Sequence, residues 1–117
     1  MKEKEQFESF LLEDLLERKC TKQELSILYN ITERHVREEI AEISLKYPVI
    51  SHSKAKGYRI CNVKKLLEEN DRNHINSEME EIRYVIAELN SRIKMLKKRQ
   101  RALIGALKML EKGNNNA

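Results

Sequence analysis

The chain has 117 residues, 40% hydrophobic and 36% charged, with a formal net charge of +4. That length bounds it to one ordinary domain or a small domain with an extension, and one Pro and three Gly point to a mostly helical chain. No apolar run approaches the roughly 20 residues of a membrane span, and the charged start has no signal-peptide core, so a cytoplasmic protein is expected.

Residues 1–62 carry eleven basic and eleven acidic side chains, and residues 63–117 carry twelve and eight. The positive surplus therefore lies in the C-terminal half. Cys20 and Cys61 stand alone, without CxxC spacing, and are expected to be reduced and partly buried.

In chain order, Phe7, Phe10, Leu11, Leu15 and Leu16 recur at helical spacing and predict an amphipathic first helix ending near Lys19-Cys20. Thr21-Lys22-Gln23-Glu24 has the form of a capping box. It opens a short second helix that buries Leu25 and Leu28, with Asn30 as a left-handed stop. Thr32 is placed to cap a third helix over about 33–46, whose Val36, Ile40 and Ile43 face the core while Arg34, Glu38, Ala41 and Leu45 face away. Pro48 ends it. Val49-Ile50-Ser51 and Tyr58-Arg59-Ile60-Cys61 are β-prone runs joined by a loop over 52–57, where Gly57 can take a positive φ. Asn62 caps a short helix through Leu66-Leu67, and Asn70-Asp71-Arg72-Asn73 is a polar break. The expected organisation is a domain over 1–69, an oligomerisation helix over 70–112 and a tail over 113–117.

From Ile75 onward apolar side chains alternate spacings of four and three. The series is Ile75, Met79, Ile82, Ile86, Leu89, Ile93, Leu96, Gln100, Leu103, Leu107 and Leu110. Ile-rich a positions with Leu-rich d positions predict a two-stranded coiled coil roughly 55–60 Å long. Gln100 at a reads as a device that fixes register or oligomer state. In a parallel pair, Glu78 would meet Arg83 attractively and Arg92 would meet Lys97 repulsively. Antiparallel pairing would set the acidic early half against the basic late half. Val85, Ile104 and Ala106 widen the stripe and leave room for a higher oligomer. The cations over Lys94–Arg101 occupy outward heptad positions and read as solvated surface.

The segment from Lys22 to Ile60 resembles the winged helix-turn-helix of the biotin-operon-repressor and DeoR-like type. The match lies in Thr32-Glu33-Arg34-His35-Val36-Arg37-Glu38-Glu39-Ile40, in the spacing to Val49-Ile50-Ser51, and in the close Lys56-Gly57-Tyr58-Arg59-Ile60. It covers about a third of the chain. The resemblance implies a three-helix core, a recognition helix and a β-hairpin wing that touches DNA. The fold class expected is mainly α with a small β-hairpin wing, followed by a long C-terminal coiled-coil helix.

Carried onto this sequence, the DNA-contacting residues are Thr32, Arg34, His35 and Arg37 on the helix and Lys54, Lys56 and Arg59 on the wing. Tyr58 is expected in the core. The family usually carries a basic residue where Glu38 or Glu39 stands, and here Glu38, Glu39 and Glu42 make the recognition helix acidic beyond its first turn. The partners expected are double-stranded DNA and a second copy of the chain, in a small repressor-like regulator. The other reading is a protein-interaction adaptor, or a virus-encoded inhibitor that docks on a nucleic-acid enzyme. His35, His52, His74, Cys20 and Cys61 have no metal-ligand spacing, and no catalytic constellation is present, so no metal, cofactor or enzymatic activity is expected.

Overall fold

The computed structural model describes residues 2–52 and 56–116, with side chains described from residue 6 to residue 115 of that span. Five helices and one hairpin follow in the order α1 (Lys2–Glu17), α2 (Lys22–Tyr29), α3 (Glu33–Ser44), β1 (Val49–Ile50), β2 (Arg59–Ile60), α4 (Val63–Glu69) and α5 (Arg72–Asn116). The chain is mainly α with a two-stranded antiparallel hairpin and a long C-terminal helix. Its contacts divide it into a unit over Met1–Val85 and a unit over Ile86–Ala117.

Local chemistry sets most boundaries in the first unit. Thr21 caps α2 by accepting the Glu24 amide at 3.1 Å. The reciprocal half of the expected capping box is not made, because the Glu24 carboxylate accepts from Arg18 Nη1 at 3.0 Å instead. Asn30 stops α2 in the left-handed region at φ 53°. The turn into α3 is tied by the Ile31 amide on the Ser26 carbonyl at 3.1 Å and by the Ser26 hydroxyl on the Ile31 carbonyl at 2.5 Å. Asn62 caps α4 through Oδ1 on the Lys65 amide, and Asn70 ends it at φ 52°. Asp71 Oδ1 then accepts the Asn73 and His74 amides at the start of α5.

The core joins Leu11 and Leu15 of α1, Cys20, Leu25 of α2, Val36, Ile40 and Ile43 of α3, and Ile60 of β2. Leu11, Leu15 and Leu25 are no more than 1% exposed, and each contributes about 1.5–3 kcal/mol of apolar burial. Phe7, Tyr29 and Tyr58 pack around this cluster, so Tyr58 sits against the core as expected. Phe7 meets Tyr29 edge-on at 4.9 Å, and the Tyr29 hydroxyl donates to the Asp14 carboxylate.

Three expected core residues face outward instead: Phe10, Leu16 and Leu28 are 57%, 41% and 56% exposed. Leu11 and Leu15, four apart, already fill the buried line of α1. Their neighbours Phe10 and Leu16 lie about 100° round the helix from that line. Leu28 sits similarly to one side of Leu25.

The hairpin pairs Val49 with Ile60 and Ile50 with Arg59. Beyond it, Tyr58 and Cys20 exchange backbone hydrogen bonds of 2.9 and 2.8 Å, so the link between α1 and α2 lies along β2. Cys20 and Cys61 are free and buried, and burial pushes both thiols up from their ordinary pKa.

Gly57 takes φ +94°, and a Cβ there would stand 2.8 Å from the Cys20 carbonyl oxygen. A left-handed φ and a backbone clash act together, so Gly57→Ala is expected to cost about 1–3 kcal/mol. The check is the thermal midpoint by far-UV circular dichroism, which falls by several degrees. An unchanged midpoint would mean that the 58–20 bridge gives way freely.

Candidate nucleic-acid interface

The exposed first turn of α3 is built from its cap. Thr32 Oγ1 accepts the His35 amide at 3.0 Å, and burial of Val36, Ile40 and Ile43 fixes the rotation of the helix. Arg34 and Arg37, three apart, then lie side by side on the outward face. Arg37 is exposed and makes no ion pair with another described residue. Arg34 Nε donates to Glu38 Oε1 at 3.2 Å, with the two side chains 83% and 62% exposed. Such an i,i+4 pair is worth only a few tenths of a kcal/mol and opens readily for a phosphate.

The other two helix residues expected at the interface are placed differently. The Thr32 hydroxyl oxygen is occupied by its capping bond, which leaves its proton as the group available to a phosphate oxygen. His35 turns toward α1: its ring lies 6.1 Å from that of Phe7, and Nε2 lies 3.3 Å from Glu39 Oε1. Glu39 is 9% exposed, so one carboxylate of the expected acidic run is folded inward. Glu33, Glu38 and Glu42 remain exposed beside the arginines.

On the wing, Lys56 is exposed and Lys54 lies outside the described residues. Arg59, expected to contact DNA, is engaged within the chain. Its Nη1 and Nη2 donate to the two oxygens of Glu78 at 2.7 and 2.6 Å, a bidentate pair with side chains 27% and 11% exposed. The two hydrogen bonds from Arg59 hold the Glu78 carboxyl below the usual carboxylate range, and Glu78 in turn raises Arg59. One turn further along α5, Glu81 Oε2 meets His52 Nε2 at 2.5 Å, and the His52 ring lies 4.6 Å from Tyr84.

Both strands are therefore tied, at the loop side of the hairpin, to the early turns of α5. His52, Glu78, Glu81 and Tyr84 were not legible as a group, because nothing local in the chain pairs residue 52 with 81 or 59 with 78. Glu78 meets Arg59 within the chain, an engagement that competes with the pair with Arg83 a parallel coil would make.

Along α5, Ile75 and Ile82 are half-buried and Met79 is 41% exposed. In the second unit every residue of the heptad series is exposed. Ile86, Leu89 and Ile93 stand at 50%, 47% and 48%, and Leu96, Leu103, Leu107 and Leu110 at 61%, 64%, 55% and 72%. Gln100 is exposed within the same stripe. Among the described residues no helix is long and apolar enough to cross a membrane, and no three His, Cys, Asp or Glu side chains gather where a metal ion would sit. No protein-family model, curated protein or solved structure matches the chain.

Proposed function

We propose that this protein is a small homodimeric, sequence-specific DNA-binding regulator of the repressor type. It reads duplex DNA with α3 and the hairpin wing, and it pairs with a second copy through α5. The observation that carries the reading is the placement of Arg34 and Arg37. They stand together on the exposed first turn of a capped helix whose opposite face is locked into the core. The likeness of 22–60 to the winged helix-turn-helix supports it, because in that arrangement this turn enters the major groove. Lys54 and Lys56 at the wing tip then take backbone phosphates, and Thr32 donates its hydroxyl to another. Arg59 acts through Glu78, setting the wing against α5 rather than touching DNA. The place of action is the cytoplasm.

The test is substitution at the reading turn. Against a duplex selected by the wild-type protein, Arg34→Ala and Arg37→Ala each weaken binding about tenfold to a hundredfold, the worth of a good arginine–base pair. Both side chains are exposed, so the thermal midpoint stays within a degree or two. Unchanged binding in both variants would remove α3 from the interface.

A second reading draws on the carboxylates around those arginines. Glu33, Glu38 and Glu42 repel phosphates, and Ile27 and Leu28 of α2 are 82% and 56% exposed. A protein-binding adaptor, of the kind a virus uses to block a nucleic-acid enzyme, would dock a basic partner there. It differs in needing no salt-dependent affinity for duplex DNA.

A further inference from the structure

The second unit holds a charge pattern that the reading of α3 and the wing leaves unused. Between Arg92 and Lys112 stand eight lysines and arginines against one glutamate, Glu111. Five of the eight form one line. Lys94, Lys98, Arg101, Lys108 and Lys112 follow at spacings of four, three, seven and four, so they stack along one side of α5. Lys97 flanks them, and the six fall within about 100° of arc over about 27 Å of helix. All six are exposed, and none makes an ion pair with a described residue. Gly105 lies on the same line with nothing within 4 Å of where its Cβ would be, so the stripe has no side chain standing over it there.

The line runs opposite the apolar seam. Leu96, Leu103, Leu107 and Leu110 lie about 160–220° round the helix from Lys94. A helix basic on one side and apolar on the other suits either an anionic lipid surface or a helical partner. The period separates the two. A 3.5-residue repeat runs from Ile75 to Leu110 without a slip, apolar at every position but Gln100. A flat surface asks for the 3.6 repeat of a straight helix, whereas a partner helix asks for 3.5. The 3.5 repeat therefore fits a partner helix, a second copy in the proposed dimer, and such pairing leaves the cations outward.

We infer that the Lys94–Lys112 stripe of α5 is a second, sequence-independent nucleic-acid site that binds backbone phosphates. The inference rests on the seam being occupied by a second copy, and not on α3 reading sequence. A duplex presents one negative charge per about 1.7 Å of axis, so a stripe this long faces many phosphates and needs no base contacts. A lysine or arginine bound to a phosphate displaces a condensed counterion, so the stripe has a direct signature in salt dependence.

The experiment titrates the full-length protein with a fluorescent duplex of scrambled sequence at several salt concentrations. The variants are Lys94→Gln/Lys98→Gln/Arg101→Gln/Lys108→Gln and the conservative Lys94→Arg/Lys98→Arg/Lys108→Arg. Glutamine and arginine are both good helix formers at exposed sites, and circular dichroism checks that the helix remains. The glutamine variant is expected to bind at least tenfold more weakly at about 0.1 M salt, with a log–log salt slope shallower by about 3–4, while the arginine variant binds as wild type. A glutamine variant with wild-type affinity and slope overturns the proposal. So does a wild-type protein that ignores the duplex but sediments with phosphatidylglycerol vesicles, which assigns the stripe to a lipid surface. Because the duplex is scrambled, loss of sequence reading by α3 leaves this readout intact, and a failed seam appears separately as a one-chain mass in sedimentation.

Discussion

Replacing Leu96 and Leu103 together with asparagine is expected to convert the proposed dimer to a monomer in sedimentation equilibrium. Both side chains lie in the exposed apolar line of α5, at 61% and 64%, and both are d positions of the 3.5-residue repeat. Each leucine is worth about 1.5–3 kcal/mol when taken out of water. A two-chain seam loses four of them, so dimer affinity falls by several orders of magnitude. Asparagine in place of leucine also puts amides into the interface, where an unpaired polar group costs a further 1–3 kcal/mol or so.

Two secondary effects follow from the same substitution. Helical signal falls, because a helix whose seam has no partner depends on weak intrinsic propensity. In the proposed DNA-binding dimer, affinity for the selected duplex is expected to fall by about 10²–10⁴, because two linked heads lose their shared avidity when separated. A variant that keeps the wild-type mass would place the dimer contact outside α5. A wild-type protein that sediments as one chain would refute the seam altogether.

The second large effect concerns the tie between the wing and α5. Arg59→Ala leaves Glu78, only 8% exposed, as a buried carboxylate without its bidentate partner. Breaking a buried pair on one side costs about 3–5 kcal/mol. Arg59 keeps a quarter of its side chain in water, so about 2–3 kcal/mol is expected here. Glu78→Gln costs less, because the amide oxygen still accepts one bond from Arg59.

The pH dependence has a definite sign. Arg59 lowers the folded pKa of Glu78, so the pair's stabilisation is complete above the unfolded carboxylate value of about 4.3 and is lost as pH falls through the lower folded value. Urea midpoints of the wild type therefore drop between about pH 5 and pH 3 more steeply than those of Glu78→Gln. Parallel curves for the two proteins would mean that the pair contributes nothing to stability. If the wing docks on DNA as proposed, Arg59→Ala also weakens that binding, because the pair with Glu78 holds the wing against α5.

The parts of this fold that were legible in the chain are those set by neighbours in sequence. Asn30, Thr32, Asn62 and Gly57 act within three or four residues of themselves, through a cap or a positive φ, and their side chains announce it. Val36, Ile40 and Ile43 were legible because α3 has a single apolar line bounded by charge. Phe10, Leu16 and Leu28 misled because an apolar residue beside a buried line looks the same in sequence as one on it. The Cys20–Tyr58 bridge was invisible, since one paired residue makes no strand pattern.

The candidate site divides in the same way. Arg34 and Arg37 are placed by the helix on which they sit. Arg59 and His52 point where tertiary partners draw them, toward Glu78 and Glu81, while His35 packs by Phe7 of α1 and meets Glu39 one turn along its own helix. Only the packing of the hairpin on α5 sets Glu78 and Glu81 opposite their cations, and no local pattern in the chain shows it.

The most direct test of the regulator reading is selection from a randomised duplex-DNA pool by the purified full-length protein at about 0.15 M salt, where exposed charges are screened beyond some 8 Å. An enriched inverted repeat is the predicted result, since two heads related by a two-fold axis read two symmetric half-sites. A pool that emerges without any enriched sequence would contradict sequence-specific binding and leave the acidic face of α3 to a protein partner.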